Sequence, residues 1–491
     1  MDLKKILDGV RIKSGENIDG IDIDKVTDDS RKVGPGDLFV ALKGYSLDAS
    51  KFVNSAMEAG ARVVVTEKDF DPKPGVSKIL VDDARSAMSI IADNFYGHPS
   101  RKLKVIGITG TNGKTTITYL IESIVKAKGG PGAGVIGTID YRFNGKALPA
   151  LNTTPGPLVL QGMLAEMADS KTDYAIMEVS SHSLDQGRVD NILFDIGIFT
   201  NLTGDHLDYH KTTANYFEAK KRLFDKLKAE AAAVLNMDDK RVASLKRSLK
   251  TGVMTYGVKS RADVTAKNIA LSMGGTRFTV NAPGMSFEAG TKLIGVHNVS
   301  NILAAIASAI ALKIPKEAII EGIESVDRVP GRLEAVEAGQ PFKIFVDFAH
   351  TEDALFNVLS LLREVAERRI VTVFGCGGDR DRTKRPLMGK VACEYSDHVI
   401  VTSDNPRFEV PGEIIGEIES GIKGKFSNYD IVADRREAIS KALSLASKGD
   451  IVVIAGKGHE GYQIIRDRAM PFDDRKVVLS ILKEDREALA K

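Results

Sequence analysis

Cysteine is nearly absent from this 491-residue chain: there are two, Cys376 and Cys393. They form neither a disulfide framework nor a paired metal-ligand spacing, and a reducing cytoplasm is the expected setting. Long apolar runs are missing as well. No stretch approaches the ~18 apolar residues of a membrane span, and the opening MDLKKILDGV is no secretory signal. Membrane insertion is therefore not expected. An excess of one charge is also lacking, because 68 Lys and Arg oppose 66 Asp and Glu for a net charge of +2. That balance does not predict nucleic acid or an acidic membrane as partner. What remains is globular: 43% hydrophobic and 27% charged residues, in a chain too long for one ordinary domain.

Three segments are visible, with no internal repeat or low-complexity stretch. Up to about residue 98, the β-type runs DLFVAL, ARVVVTE and KILVDD alternate with helical stretches such as 84–96. The second segment opens with KLKVIGITG, an apolar strand running into a Gly-rich loop and then a helix from about Thr115. The runs YAIMEVSS, FDIGIFTNL and AAAVLNMD follow, which predicts a largely parallel sheet covered by helices. An amphipathic, turn-rich stretch at 253–295 precedes a helix at 298–312. The third segment starts near Pro330-Gly331. Its strands are FKIFVDFA, RIVTVFGCG, HVIVTSDN and DIVVIAGKG, with helices at 352–368, 384–396, 412–421 and 435–448.

The loop GTNGKTT at 110–116 sits where a strand meets a helix. Small residues there let backbone N–H groups close around phosphate at the positive helix end. Lys114 suits the outer phosphates, and the Thr115 hydroxyl suits Mg²⁺. The strict G-x-x-x-x-G-K-T pattern wants glycine at 108, where this chain has Ile108. An ordinary Gly-rich turn is the plain alternative.

Without that first glycine, GTNGKTT resembles the ATP loop of the Mur ligases and folylpolyglutamate synthetases. NTTP at 152–155, EVSSH at 178–182, TNLTGDHLDYH at 200–210, YFEAKKRLF at 216–224, HNVSN at 297–301, GRLE at 331–334 and DFAH at 347–350 follow in family order. The resemblance thus covers essentially the whole chain. DDSRKVGPGDLFVAL at 28–42 resembles the uridine-diphosphate signature of the Mur branch and argues against the synthetases. The resemblance implies an α/β protein of three domains. These are a UDP-sugar-binding domain (1–98), a central P-loop ATPase domain with a parallel sheet (99–330), and a C-terminal Rossmann-like domain (331–491). It also implies an ADP-forming acid–amino-acid ligase dependent on ATP and Mg²⁺. A cytoplasmic monomer is the expectation, although nothing in the sequence gives the oligomeric state.

The family roles fall on matching residues. ATP is expected at Gly110, Thr111, Asn112, Gly113, Lys114, Thr115 and Thr116, with Asn298 and Asn301 on the adenine side. Arg332 and Asp347 are expected to reach it from the third domain. Thr115, Glu178, His206 and Lys220 are the expected Mg²⁺ group. Lys220, in Tyr-x-x-Ala-Lys, matches the family lysine that carries a carbamate, and Lys221 reads as its surface neighbour. Taken alone, Glu178 and Asp347 suit helix caps, Arg332 a linker cation and His206 a loop histidine. Ser30, Asn152, Thr153, Thr154, Ser180, Gln186 and Arg188 match residues that hold UDP-N-acetylmuramoyl-L-Ala-D-Glu. The chain departs from many relatives at Tyr45-Ser46-Leu47 and Asp48-Ala49.

The amino acid added is expected from the third segment. Asp404, Asn405, Pro406 and Arg407 follow one strand, and Gly456 to Glu460 follow another. DNPR with GKGHE resembles the branch that adds meso-diaminopimelate. An arginine can pair with the distal carboxylate that lysine lacks, and Glu460 can accept from the distal ammonium. Arg380 matches a further carboxylate contact, while Arg382 and Arg385 read as solvated or structural. The alternatives are an Asn-Pro turn with a surface arginine, a lysine-adding ligase, and a P-loop NTPase with no amino-acid requirement.

Overall fold

The computed structural model describes residues 1–15, 18–43, 48–130, 132–170 and 172–489. Its strands form three main sheets and one hairpin, Tyr462–Ile465 with Arg468–Pro471. The first sheet has five strands in the order Ile12–Gly15, Ser77–Val81, Val63–Thr66, Leu38–Val40, Val26–Thr27, antiparallel only at the first pair. The third has six, from Glu334–Ala335 through Lys343–Asp347, Ile451–Ala455, Ile370–Phe374 and His398–Val401 to Tyr429–Ile431, again with one antiparallel pair.

The central sheet has eleven strands. Its parallel middle runs Ala133–Ile136, Tyr174–Glu178, Lys104–Thr109, Phe194–Phe199, Leu227–Asn236, Gly252–Gly257, Val264–Ser272. Antiparallel strands extend both edges. The stretch expected to be turn-rich is therefore four strands, the first parallel to the second and the last three joined by two-residue turns. From Ser286 to Thr291 exposed or partly buried side chains alternate with buried ones, the period-two pattern of a sheet with one wet face. That alternation looked merely amphipathic because the turns break it into short pieces.

Helices cover both faces of the parallel middle. Ile117, Leu120 and Ile124 of Lys114–Lys128 pack with Ile302, Leu303 and Ile306 of Val296–Ala311 on one side. Leu160, Leu164, Tyr216 and Phe224 fill the other. A Cβ at Gly322, on the helix Lys316–Glu324, would lie 2.4 Å from the Ile124 Cα, so glycine is required where that helix touches Lys114–Lys128. This packing fixes the helix behind the 110–113 loop. Among the described residues, no helix is long and apolar enough to cross a membrane.

Candidate active site

The carboxyl ends of the central and third sheets face one cleft of about 580 Å³, where ligands of open α/β sheets bind. Strand Lys104–Thr109 delivers the 110–113 loop, which turns into the helix Lys114–Lys128. Gly110 (φ +139°) and Gly113 (φ +90°) permit the turn. A Cβ at the first would lie 1.8 Å from Thr200 Oγ1, and one at the second 2.3 Å from Asn301 Oδ1. Thr111 and Asn112 are tied to the next strand's loop: Thr111 N donates to Asn201 O and Asn112 N to Asn201 Oδ1, both at 2.9 Å. Thr116 lines the cleft just beyond.

Two lysines converge on one oxygen. Lys114 Nζ donates to Gly110 O at 2.9 Å and to Thr111 O at 2.8 Å, and Lys220 Nζ donates to the same Gly110 O at 2.7 Å. Lys220 is fully buried, on the helix Thr213–Lys221, with its ammonium 4.4 Å from the Tyr216 ring. Burial, and then the neighbouring Lys114, push the Lys220 amine well below the ordinary lysine range. Lys114 is also lowered, mainly by loss of water. Lys221 instead pairs with Glu218 at the surface.

Glu178 ends its strand beside this pair. It accepts from Thr115 Oγ1 (3.0 Å), from Thr138 N (2.9 Å) and from Thr138 Oγ1 (2.9 Å). His206 sits in left-handed backbone (φ +54°), with Nε2 3.4 Å from Asp205 Oδ2 and its ring 4.8 Å from His182. Burial lowers the His206 imidazole, with Asp205 opposing. Among the described residues, no group of three His, Cys, Asp or Glu side chains is gathered tightly enough to hold a metal ion. Thr115 and Lys220 line the cleft with Glu178 and His206.

The third sheet contributes from across the cleft. Arg332 Nη2 donates to Thr115 Oγ1 at 3.1 Å, and its guanidinium lies 4.9 Å from the Phe348 ring. Asp347 is buried and spends both oxygens on backbone, accepting from Leu333 N (2.6 Å) and Ala349 N (2.7 Å). Its carboxyl is raised by burial. The following helix is capped by Thr351 instead, so Asp347 is not its cap, and it lines the cleft. Asn298 and Asn301 are buried beneath the loop, with Asn301 Nδ2 donating to Asn298 Oδ1 at 3.2 Å.

The segment 404–407 also reaches the cleft. Arg407 (φ +51°) donates from Nη1 to Gly378 O at 2.8 Å, and burial and the nearby Arg380 lower its guanidinium. Arg380 is exposed and donates to Asp379 O. Asp404 Oδ1 accepts from Asn405 N at 2.6 Å, while its buried Oδ2 has no hydrogen-bond partner. The Pro406 carbonyl packs against Gly378, and a Cβ at Gly456 would lie 2.7 Å from Asp404 Oδ2. Glu460 Oε2 accepts from Asn405 Nδ2 at 2.8 Å. Arg385 is fully buried between Glu409 and Glu417, and Arg382 is exposed beside them.

At the other end, Thr153 and Ser180 line the cleft. Thr154 is fully buried outside the cleft lining, with Oγ1 donating to Glu178 O at 2.8 Å. Arg188 binds the Thr154 carbonyl (2.9 Å) and Gln186 Oε1. Asn152 is exposed, its backbone tied to the Tyr141 hydroxyl. Ser30 lies in a short helix on the first sheet, outside the cleft lining. Tyr45-Ser46-Leu47 lies outside the described residues; Asp48 binds Lys68 at 2.6 Å.

Three family descriptions match in chain order. They are "Mur ligase family, catalytic domain" over 22–96, "Mur ligase middle domain" over 108–309, and "Mur ligase, glutamate ligase domain" over 331–458. The chain belongs to the Mur ligase family. It is 46% identical over 486 residues to UDP-N-acetylmuramoyl-L-alanyl-D-glutamate–2,6-diaminopimelate ligase of Caldanaerobacter subterraneus subsp. tengcongensis, covering 99% of each chain. The protein of that name in Geobacillus thermodenitrificans is 44% identical, with 98% of each covered. A solved structure of such a ligase shares 33% identity and a TM-score of 0.69 over 99% of both chains.

Several cleft residues of this Mur ligase escaped sequence reasoning: Asn201, Asp205, His350, Asp353, Lys384 and, behind the wall, Lys457. All but Asp353 and Lys384 stand inside motifs already singled out, so proximity to a motif was the available signal. His350 is pushed down to about 4 by burial, with Nδ1 2.8 Å from Phe348 O. A carbonyl only accepts, so the ring proton sits on Nδ1.

Proposed function

We propose that this Mur ligase adds meso-diaminopimelate to the D-Glu γ-carboxylate of UDP-N-acetylmuramoyl-L-Ala-D-Glu, using ATP, in peptidoglycan biosynthesis. The observation that carries the ATP reading is the convergence of Lys114, Lys220 and Arg332 around the 110–115 loop. Lys114 and Arg332 bring two cations to the loop where the helix begins, and a triphosphate on a helix N-terminus answers them. ATP phosphorylates the γ-carboxylate, giving an acyl phosphate and ADP. The amine of diaminopimelate attacks that carbonyl, phosphate leaves, and an amide remains. Lys114 and Arg332 offset charge on the transferring group.

Lys220 shares its carbonyl with Lys114, and its lowered pKa supplies the neutral amine that carbamylation needs. The neutral amine adds to carbon dioxide, a proton is released, and a carboxylate-like anion stands where the amine was. Thr115, Glu178, His206 and that carbamate then suit Mg²⁺, which when bound neutralises crowded phosphate oxygens. Thr153, Thr154, Ser180, Gln186 and Arg188, with Asn152, are assigned to the muramyl-dipeptide, and Ser30 to the uridine end.

Arg407 is assigned the distal carboxylate of diaminopimelate, Glu460 the distal ammonium, and Arg380 a further carboxylate contact. The relatives' shared name and the two guanidinium groups at the cleft support this over lysine. We further assign domains 1–98, 99–330 and 331–491, a monomer, and a cytoplasmic location, consistent with two buried free thiols. ATP-dependent phosphate release with UDP-N-acetylmuramoyl-L-Ala-D-Glu and a panel of amino acids tests the whole. Release with meso-diaminopimelate and little with L-lysine is expected; release without any amino acid would sink the ligase reading.

A further inference from the structure

We infer that Lys457 is a positioning residue for the amino-acid pocket, holding Asn405 and Glu460 from behind the cleft wall in the orientation that receives the far end of the substrate. This rests on the diaminopimelate reading above. Lys457 has no exposed surface and is not part of the cleft lining, whereas Asn405, Gly456 and Glu460 are. It follows the strand Ile451–Ala455 between Gly456 (φ +115°) and Gly458 (φ +55°). A Cβ at Gly456 would press on Asp404, and one at Gly458 on Phe348, each at 2.7 Å. The two glycines thus let the chain turn tightly enough to send a lysine inward.

Three hydrogen bonds close a ring there. Lys457 Nζ donates to Asn405 Oδ1 and to Glu460 Oε2, each at 3.0 Å, and Asn405 Nδ2 donates to the same Glu460 Oε2 at 2.8 Å. Asn405 Oδ1 also accepts from Ile464 N at 2.9 Å. An ammonium and a backbone amide can only donate, so they fix which end of the Asn405 amide is oxygen. Its nitrogen must then face Glu460. With Oε2 doubly engaged, the Glu460 carboxylate has one orientation, which leaves Oε1 to meet a substrate ammonium. A fully buried cation is costly unless paired, and an apolar residue of similar length often serves a fold as well. Its use here is to set direction in a pocket that must recognise a zwitterion.

The test is steady-state kinetics of wild type, Lys457→Met and Lys457→Gln, varying each of the three substrates in turn. For Lys457→Met, the KM for meso-diaminopimelate should rise about tenfold or more with kcat within a factor of about three, the loss expected for charge-assisted bonds that act on binding. The KM values for ATP and the UDP substrate should not move. Lys457→Gln keeps a donor without the charge and should fall between; it carries the same reading if the methionine variant does not fold. Parallel loss in kcat and all three KM values would mark a merely structural lysine and overturn the assignment. An unchanged diaminopimelate KM in both variants would overturn it too, while the function reading stood. Wild type that forms no product with meso-diaminopimelate would instead bring down the function reading and this inference together.

Discussion

The two ends of the cleft solve charge in opposite ways. At the phosphate end, like charges are crowded: Lys114 and Lys220 share Gly110 O, and Arg332 reaches Thr115 beside them. At the amino-acid end, opposite charges alternate, with Lys457 on Glu460 and Arg385 on Glu409. Basic groups packed this closely need a lost proton or an arriving anion, so the first end is built for turnover and fails outright when a member is lost. Alternating charges are already balanced, so the second end reads a substrate and should lose selectivity by degrees.

The largest expected effect breaks the first end. Lys220→Ala should lower kcat by roughly 10³-fold, the upper range for one lost electrostatic group in a site. Formate or acetate should restore part of it by replacing the missing anion. Because burial and Lys114 lower the amine, it is neutral at a pH where an ordinary lysine is charged. Stripping carbon dioxide should therefore inactivate wild type, and bicarbonate should restore it near neutral pH. Full activity of the variant at saturating Mg²⁺ would refute the carbamate.

Lys114→Ala comes next, at roughly 10²–10³-fold in product formation. The variant should keep its affinity for the UDP substrate, since Thr153, Ser180 and Arg188 are held by Thr138, Thr154 and Gln186 rather than by Lys114. Near-normal turnover would show that the loop does not carry the phosphoryl group.

At the other end the effect should be smaller and confined. Arg407→Ala should raise the diaminopimelate KM roughly ten- to hundredfold, as one or two charge-assisted bonds are lost. ATP and UDP-substrate KM values should stay put. The gap between diaminopimelate and L-lysine should narrow by harm to the former, since no lysine pocket has been built. Equal use of lysine by the wild type would end the selectivity reading.

That contrast explains what was legible in the sequence. The loop, its strand and its helix were readable because Gly110, Gly113 and Lys114 answer to local backbone geometry. Helices such as Ala84–Phe95 and Lys384–Tyr395 were readable to within a residue or so. The antiparallel strands at 264–291 were not, because their short alternating pieces carry no sign of a neighbour. Long-range pairings were equally hidden. Nothing near Lys457 says that Asn405, 52 residues away, is its partner, and nothing near Asp353 names Asn112.

The smallest predicted effect lies between the two ends. Asn112 has its backbone held by Asn201 and Thr200, and its side-chain nitrogen donates to Asp353 Oδ2 at 2.7 Å. Asp353 lies in the first turn of the helix Glu352–Val365, so this bond joins the phosphate loop to the third sheet's layer. The carboxyl is raised by burial, which the donating Asn112 partly offsets. Asp353→Asn keeps the shape and removes the charge, reducing a charge-assisted bond to an ordinary one, a difference of about 1 kcal/mol or some fivefold. The ATP KM should rise by about that factor, since the loop is less firmly apposed. The diaminopimelate KM should change less, because Arg407 and Glu460 do not touch Asp353. Small-angle scattering of wild type with ATP analogue and UDP substrate should show a more compact particle than without them. Asp353→Asn should require more nucleotide to reach the same compaction. Identical titrations for the two proteins would mean that the two ends of the cleft move together without this bond.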